Sequence, residues 1–283
     1  MSVFVAEELS EVLNTKVVIG RINMGLLNRI IIDDVLLDDQ SGQEMLKVTR
    51  LSAKFDIMPF FKGKISISSV QLFGFNINLR KETPDSPPNF KFVLDAFASK
   101  DTVKKENSLD LRINSILIRR GRMSYHVLSE EETPGKFNAK HIQLQNIIAN
   151  ISLKALSKDS LNLGIKRLSL DEKASGFSLK KMSLKLVANN KQTNIDNFTI
   201  ELPETSLKLD TIHLEYDSLK AFDRFTEQVH FSFRTLPSQV TLKDISPFVP
   251  ILSHFKEPVT LDMEVKGTVD QLTCSHLEIT ADD

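Results

Sequence analysis

Apolar and polar residues alternate along most of this chain, and this period-two pattern constrains the fold more than any other feature. Between His141 and Tyr216 the alternation is nearly continuous, and the intervening residues are mostly Lys, Ser, Asn, Asp and Thr. Successive side chains of a β-strand point to opposite faces, so such a strand has one apolar and one hydrated face, as in antiparallel sheets. No segment is long enough for the crossover helices of a parallel α/β sheet. The pattern therefore predicts a mainly β protein of about fifteen strands.

One long alternating segment changes phase, and this change decides which of its residues share a face. Within Lys64–Lys81, the dipeptide Ser68-Ser69 separates two alternating series. A phase change inside a strand is typical of a β-bulge, where an extra residue bends the strand. We therefore expect a bulge or a bend at this dipeptide. The apolar residues expected to share a face after it are Phe73, Phe75, Ile77 and Leu79.

The N-terminal segment has a helical pattern. Val5, Leu9, Val12 and Leu13 recur at the spacing that places them on one face of a short amphipathic helix. Further short helical connections are expected where the alternation is interrupted, although Asn89–Ser99 is ambiguous between helix and strand. The interrupted segments are Met58–Gly63, Asn89–Ser99, Asp217–Phe225 and Ser246–Phe255.

Composition and residue spacing argue against several classes of function. The formal net charge of −1 argues against a nucleic-acid-binding protein, which normally carries a basic excess. No segment reaches the roughly 18 consecutive apolar residues of a membrane span. The single cysteine, Cys274, excludes an internal disulfide and a cysteine-based zinc site. The six histidines never fall in an HxH or HxxxH spacing, so no metal site is predicted.

The motifs of common catalytic and nucleotide-binding sites do not occur. GxSxG, GxxxxGK[ST] and GxGxxG are missing, and the acidic pairs lack the spacing of a calcium loop. We therefore expect a protein that is not an enzyme and uses no cofactor. The apolar stripe has two interpretations: the core of a closed β-sandwich, or an open groove that lipid or a partner covers. Periodicity alone favours the closed core, although alternation does not distinguish a face covered by protein from one covered by acyl chains.

Several stretches within the first hundred residues match one family. Leu27–Val35 reads LNRIIIDDV, Ala53–Ile67 reads AKFDIMPFFKGKISI, Val70–Phe75 reads VQLFGF, and Asn89–Lys100 reads NFKFVLDAFASK. Together they resemble the N-terminal region of the AsmA-like/TamB family of diderm bacteria, which is similar to the bridge-like lipid-transfer proteins. Beyond these residues only the β pattern agrees with the family. In the family an anchor helix precedes this region, and the resemblance implies such a helix for the full-length protein.

The resemblance implies a fold and a role. The implied fold is an elongated, curved antiparallel sheet, an open taco-shaped β-groove, with a short N-terminal helix over residues 1–15 and the groove segment over 16–283. The segment is expected to be part of a longer periplasmic chain anchored in the inner membrane. The implied partners are phospholipids, the inner and outer membranes, and an outer-membrane β-barrel assembly partner. The implied function is a conduit that carries phospholipid acyl chains between the two membranes.

The predicted groove residues are apolar positions of the long strands. They are Phe73, Phe75, Ile77, Leu79, Leu111, Ile113, Met123, Tyr125, Ile142, Leu144, Phe198, Ile200, Phe231 and Phe233. The N-terminal helix is expected either to cap the near end of the groove or to cover the sheet edge. Two alternatives remain open. The sheet edge could assist the translocation and assembly of outer-membrane proteins by pairing with their strands. A closed sandwich could serve adhesion or carbohydrate binding, although the chain has no Trp and only two Tyr.

Overall fold

A computed structural model describes residues 2–26, 28–55, 67–98, 113–157 and 160–281 of the chain. Two sequence predictions lie outside these residues: the groove candidate Leu111 and the helical connection Met58–Gly63. All structural statements below refer to the described residues.

The protein is mainly β, as predicted, and its fourteen described strands belong to one hydrogen-bonded sheet. From β1 to β10 the strands lie in chain order. β11 and β12 each pair with β10 on one side and with β13 on the other, and β14 pairs with the opposite side of β13. The strands are β1 (Val17–Gly25), β2 (Arg29–Asp38), β3 (Glu44–Phe55), β4 (Ile67–Lys81), β5 (Ile113–Val127), β6 (His141–Ser157), β7 (Ser160–Glu172), β8 (Ser178–Asn189), β9 (Gln192–Glu201), β10 (Ser206–Glu215), β11 (His230–Thr235), β12 (Ser238–Val240), β13 (Val259–Gly267) and β14 (Leu272–Ala281).

Among the strand pairs whose residue-to-residue register is defined, one is parallel and all the others are antiparallel. β4 and β5 run parallel, with Val70 opposite Ile116 and Leu79 opposite Tyr125. A parallel pair requires a long connection between its strands, and the chain between β4 and β5 contains the helix Lys91–Ala98. This parallel pair was not predicted from the alternation, because side-chain period is the same in both kinds of pairing.

The backbone divides into two compact units. The first comprises Met1–Leu109, Ser115–Ile148 and Asp171–Gly176. The second comprises the remaining residues, of which Phe177–Asp283 is the longest stretch. Each unit is described by itself below.

The helices are short and confirm most of the predicted positions. Helix α1 (Ser2–Leu13) forms at the N-terminus, and helix α2 (Lys91–Ala98) resolves the ambiguity of Asn89–Ser99. The predicted turn at Asp217–Phe225 contains a 3₁₀ helix, and Ser246–Phe255 contains another at Pro250–His254. The remaining short elements are the 3₁₀ helix Leu242–Ile245 and the one-turn α-helix Phe225–Gln228.

Helix α1 packs on the edge strand β1 through a small residue. Ala6 is buried against Val17 and Ile19, whereas Leu9 and Val12 are exposed, so the predicted apolar face of the helix is wrong at these two positions. The alanine side chain lets the helix approach the sheet closely. The Ser10 hydroxyl donates to the Ala6 carbonyl at 2.7 Å and accepts from the Val17 amide at 3.0 Å, which links helix and strand.

In each of β1 to β4 the alternation of side chains between the two faces of the sheet changes phase at one position, and these four positions lie opposite one another. We call them the inversion line: Gly20, Asp34, Thr49 and Gly74. Asp34 and Gly74 have φ of +56° and +63°. A residue in the left-handed conformation interrupts the alternation, so the side chains after it lie on the face opposite to the one that strict alternation predicts. The register on either side of the line is unchanged, so all four strands change phase together. Arg120 in β5 also has positive φ.

Two buried carboxylates hold loops of the first unit. Glu172 accepts hydrogen bonds from the backbone amides of Gln143 at 2.9 Å, Ala174 at 3.3 Å and Ser175 at 2.7 Å, and from the Ser175 hydroxyl at 2.6 Å. Burial alone would raise the pKa of Glu172, but the hydrogen bonds from Ser175, Gln143 and Ala174 outweigh it and lower that pKa. Asp39 is held similarly, with the Arg80 guanidinium at 2.6 Å.

Candidate functional site

The first unit has one apolar face, formed by rows of cross-strand neighbours on both sides of the inversion line. Directly opposed residues of adjacent strands lie on the same face. Ile22 and Ile32 pack against the same buried cluster as Ile19 and Leu37, so the rows before and after the line share a face. We call this surface the first apolar face. Its rows across β1 to β4 are Val17–Leu37–Leu46–Ile77, Ile19–Val35–Val48–Phe75 and Ile22–Ile32–Leu51–Leu72.

Phe73 does not belong to the first apolar face, and the prediction that it shares a face with Phe75 is wrong. Phe73 lies opposite Arg50, is 38% exposed, and has the Arg120 guanidinium 5.1 Å from its ring centroid. Phe75 lies opposite Val48 and is only 6% exposed. The positive φ of Gly74 between the two rings separates them.

The other predicted residues of β4 and their neighbours on β5 lie on the first apolar face. Ile77 is opposite Met123, and Leu79 is opposite Tyr125. These four side chains are half-buried. Leu79 also packs against the cluster under helix α1, so this part of the face is covered by protein.

Strand β6 also contributes to the first apolar face. Its first residue, His141, points to the polar face, so the residues that alternate with it belong to the apolar face. His141 bonds to His126, which follows Tyr125 in β5 and therefore points to the polar face. Alternation then places Ile142 and Leu144 with Tyr125, and both are half-buried. Ile113 is buried at the start of β5 and is assigned to the second unit.

The second unit has its own apolar rows, which contain the remaining predicted residues. Phe198 lies opposite Leu209, and Ile200 lies between Met182 and Leu207 on the neighbouring strands. We call this surface the second apolar face. Its longest row crosses β8 to β11 and β13 through Leu186, Ile195, Ile212, Phe233 and Val265, and Leu214–Phe231 lies beside this row.

The second apolar face repeats the inversion of the first unit. Ile195 and Phe198 are separated by Asp196 and by Asn197, whose φ is +53°. An Asn side chain tolerates this left-handed conformation better than most residues. The rings of Phe231 and Phe233 stack with centroids 6.1 Å apart, as expected for i and i+2 residues on one face of a strand.

The residues of the second apolar face are packed by their neighbours in the sheet but are not enclosed. Ile195, Phe198, Ile200, Phe231 and Phe233 are all half-buried. The described strands form a single hydrogen-bonded sheet rather than the two sheets of a sandwich. Apolar surface that remains in contact with water favours a covering ligand by about 25 cal/mol for each Å² that is buried.

The opposite face of each unit carries polar pairs between strands. In the first unit the Arg50 Nε donates to the Asp33 carboxylate at 2.6 Å. In the second unit the His213 Nδ1 lies 2.6 Å from the Asn194 side-chain oxygen, and Lys181 pairs with Glu201 at 3.0 Å. The two faces of the sheet therefore differ sharply in chemistry, which is the pattern that the alternation predicted.

Strand β14 is an exposed edge of the described sheet. It pairs with β13 on one side, and all ten of its residues are exposed. Leu277 and Ile279 are 58% and 59% exposed, although their partners Met263 and Leu261 are half-buried. An edge strand with exposed apolar side chains can pair with a further strand.

One polar cluster was missed by the sequence reasoning. His126, Glu132 and His141 bring three potential metal ligands within 4.8 Å of one another. The two histidines come from consecutive strands and are 15 residues apart, so the short HxH and HxxxH spacings could not reveal them. A prediction that β5 pairs with β6 would have placed the two histidines close together.

Comparisons with known proteins do not identify the chain. No protein-family model matches it, and a search of curated proteins finds no match. Among the described residues, none of the helices has the length and apolar character needed to cross a membrane.

Proposed function

We propose that this chain is a non-enzymatic segment of a lipid-transfer conduit, in which the apolar faces of the sheet hold phospholipid acyl chains. The observation that carries the proposal is the apolar row that crosses β8 to β11 and β13, in which Ile195, Ile212 and Phe233 are half-buried. An acyl chain laid along such a row has apolar contact without directional bonds.

The physical basis of the proposal is the cost of moving a lipid through water. Each CH₂ group that leaves an apolar environment costs about 0.8 kcal/mol, so an acyl chain needs continuous cover. Side chains such as Phe231, Phe233 and Phe198 provide contact that depends little on position. A lipid would therefore be able to slide from row to row while its head group remains in water.

The location and partners are part of the same proposal and rest on the family resemblance. We place the chain in the periplasm, as part of an inner-membrane-anchored protein that delivers phospholipid to the outer membrane. An outer-membrane β-barrel protein is the proposed assembly partner. The predominantly antiparallel sheet with an apolar and a polar face is the kind of fold that the resemblance implies.

The test compares a charge on each face of one strand. Ile200 lies on the second apolar face, whereas its neighbour Thr199 lies opposite Lys208 on the polar face. Native mass spectrometry of the purified chain, with lipid extraction, is expected to find bound phospholipid in the wild type and in Thr199→Glu. Ile200→Glu is expected to lose it while circular dichroism stays unchanged. Equal retention by both variants, or a lipid-free wild type, would contradict the proposal.

A second candidate function is supported by the exposed edge. The edge strand β14 could pair with an extended segment of an outer-membrane protein and so assist its assembly. This candidate predicts that Thr280→Lys, at an exposed edge position opposite Thr260 on the polar face, abolishes binding of extended β-forming peptides in isothermal titration calorimetry. Phospholipid retention would be unchanged in that variant, which separates the two functions.

A further inference from the structure

The imidazoles of His126 and His141 meet on the polar face of the first unit, where β5 ends and β6 begins. The His126 Nδ1 lies 3.0 Å from the His141 Nδ1, and 3.8 Å from a carboxylate oxygen of Glu132. His141 is buried and His126 is half-buried, whereas Glu132 lies in the exposed loop that connects the two strands. Three side chains with metal-binding atoms therefore converge at one point.

The hydrogen bond on the far side of His141 determines which nitrogen can bind a ligand. The His141 Nε2 lies 2.9 Å from the backbone carbonyl oxygen of Glu130. A carbonyl oxygen only accepts, so the Nε2 carries the proton, and the neutral ring has its lone pair on Nδ1. Metal-binding histidines commonly have this arrangement, in which one nitrogen binds the ion and the other donates to a carbonyl.

We propose that His126 Nδ1, His141 Nδ1 and the Glu132 carboxylate bind a divalent transition-metal ion, for which Zn²⁺ is the best match. Zinc takes nitrogen and carboxylate ligands at about 2.0–2.2 Å in a tetrahedral arrangement, which separates the ligand atoms by about 3.3 Å. The separations of 3.0 and 3.8 Å lie on either side of this value. Ca²⁺ and Mg²⁺ are disfavoured because they prefer oxygen ligands.

Of the two nearby carboxylates, Glu132 rather than Glu130 is the one that can bind the ion. The Glu130 carboxylate pairs with the Lys140 Nζ at 2.7 Å, so it is engaged within the same loop. With three protein ligands, the fourth position of a tetrahedral ion would be taken by water. The bound ion would tie the connecting loop to both strands, which is a role independent of the apolar faces.

The test is zinc titration of the full 283-residue chain after removal of metal with a chelator. Isothermal titration calorimetry is expected to give one Zn²⁺ per chain. His126→Gln and Glu132→Gln should each weaken binding at least about tenfold. Both variants are chosen to preserve the fold, since the side-chain amide introduced by His126→Gln can donate to the His141 Nδ1 and residue 132 is exposed.

Two matched variants control for non-specific binding. Glu131→Gln removes the adjacent carboxylate of the same loop, and His213→Gln removes a histidine of the second unit whose Nε2 lies 3.0 Å from the Glu215 carboxylate. Both are expected to bind zinc as the wild type does. Co²⁺ substitution should give the intense visible absorption of a four-coordinate site. The absence of one-to-one binding, or equal losses in all four variants, would overturn the proposal.

Discussion

Phe73 and Phe75 are two residues apart on β4 yet lie on opposite faces of the sheet, because Gly74 between them has φ of +63°. Phe75 is enclosed on the first apolar face, whereas the ring of Phe73 contacts the Arg120 guanidinium on the polar face. This relationship defines which residues of β1 to β4 contribute to the apolar surface. It also makes the architecture testable by paired substitutions.

The two phenylalanines should differ in their contribution to stability. Phe75→Ala is expected to lower the free energy of unfolding by about 3–5 kcal/mol, because it leaves a cavity in a packed region. Phe73→Ala should cost less than about 1.5 kcal/mol, since the ring is partly exposed and loses mainly its contact with Arg120. Urea unfolding followed by circular dichroism measures both values. Equal costs would contradict the assignment of the two faces.

Replacement of Gly74 tests the inversion line. Gly74→Ala is expected to cost more than Gly42→Ala, although both glycines have positive φ. A Cβ at position 74 would lie 2.7 Å from the Thr49 hydroxyl oxygen, whereas position 42 has nothing within 4 Å. The control should therefore show only the backbone cost of about 1–2 kcal/mol. Thermal unfolding of the two variants gives the comparison, and an equal loss would argue against close packing along the line.

Gly121 is required by its close approach to Phe75. A Cβ at position 121 would lie 2.4 Å from the Phe75 ring and 3.0 Å from the Ile147 Cβ. Gly121→Ala is expected to destabilise the chain by about 1–3 kcal/mol through overpacking. Phe75→Leu should partly rescue this variant, because it removes the ring atoms involved. A double-mutant cycle measures the coupling, and strictly additive costs would show that the two positions are not in contact.

Glu172 should make stability depend on pH in the acid range. Its folded-state pKa lies below the unfolded value of about 4.3, so its contribution is complete above that value and is lost as the pH falls through the folded pKa. Glu172→Gln is expected to cost about 1–3 kcal/mol at pH 7, because it disrupts several hydrogen bonds. The difference from wild type should shrink at pH 3. Glu131→Gln, at an exposed position, serves as control, and a pH-independent difference would refute the account.

The class of fold and most helical positions could be predicted, because alternation and helical spacing are local properties. Helix α1 and the turn after Asp217 follow from such patterns, and the predicted bulge is confirmed by a register shift between Lys54 and Phe55, opposite Ser68. The face of Phe73 could not be predicted, since it depends on one backbone torsion at Gly74. A single left-handed residue reverses every later assignment along a strand.

The candidate sites differ in the same way. The apolar rows follow from the alternation once the inversions at Gly74 and Asn197 are included. The pairing of His126 with His141 depends on which strands are neighbours, and this is decided by packing of the whole sheet. The same holds for the parallel pairing of β4 with β5, which side-chain period leaves undetermined.

The most direct test of the proposed conduit is photo-cross-linking from both faces of β11. A benzoylphenylalanine at Phe233, on the second apolar face, is compared with one at Ser232, its neighbour on the opposite face. With phospholipid vesicles carrying labelled acyl chains, the account predicts lipid adducts at position 233 and none at position 232. Equal labelling at both positions, or a folded chain without adducts at 233, would contradict it.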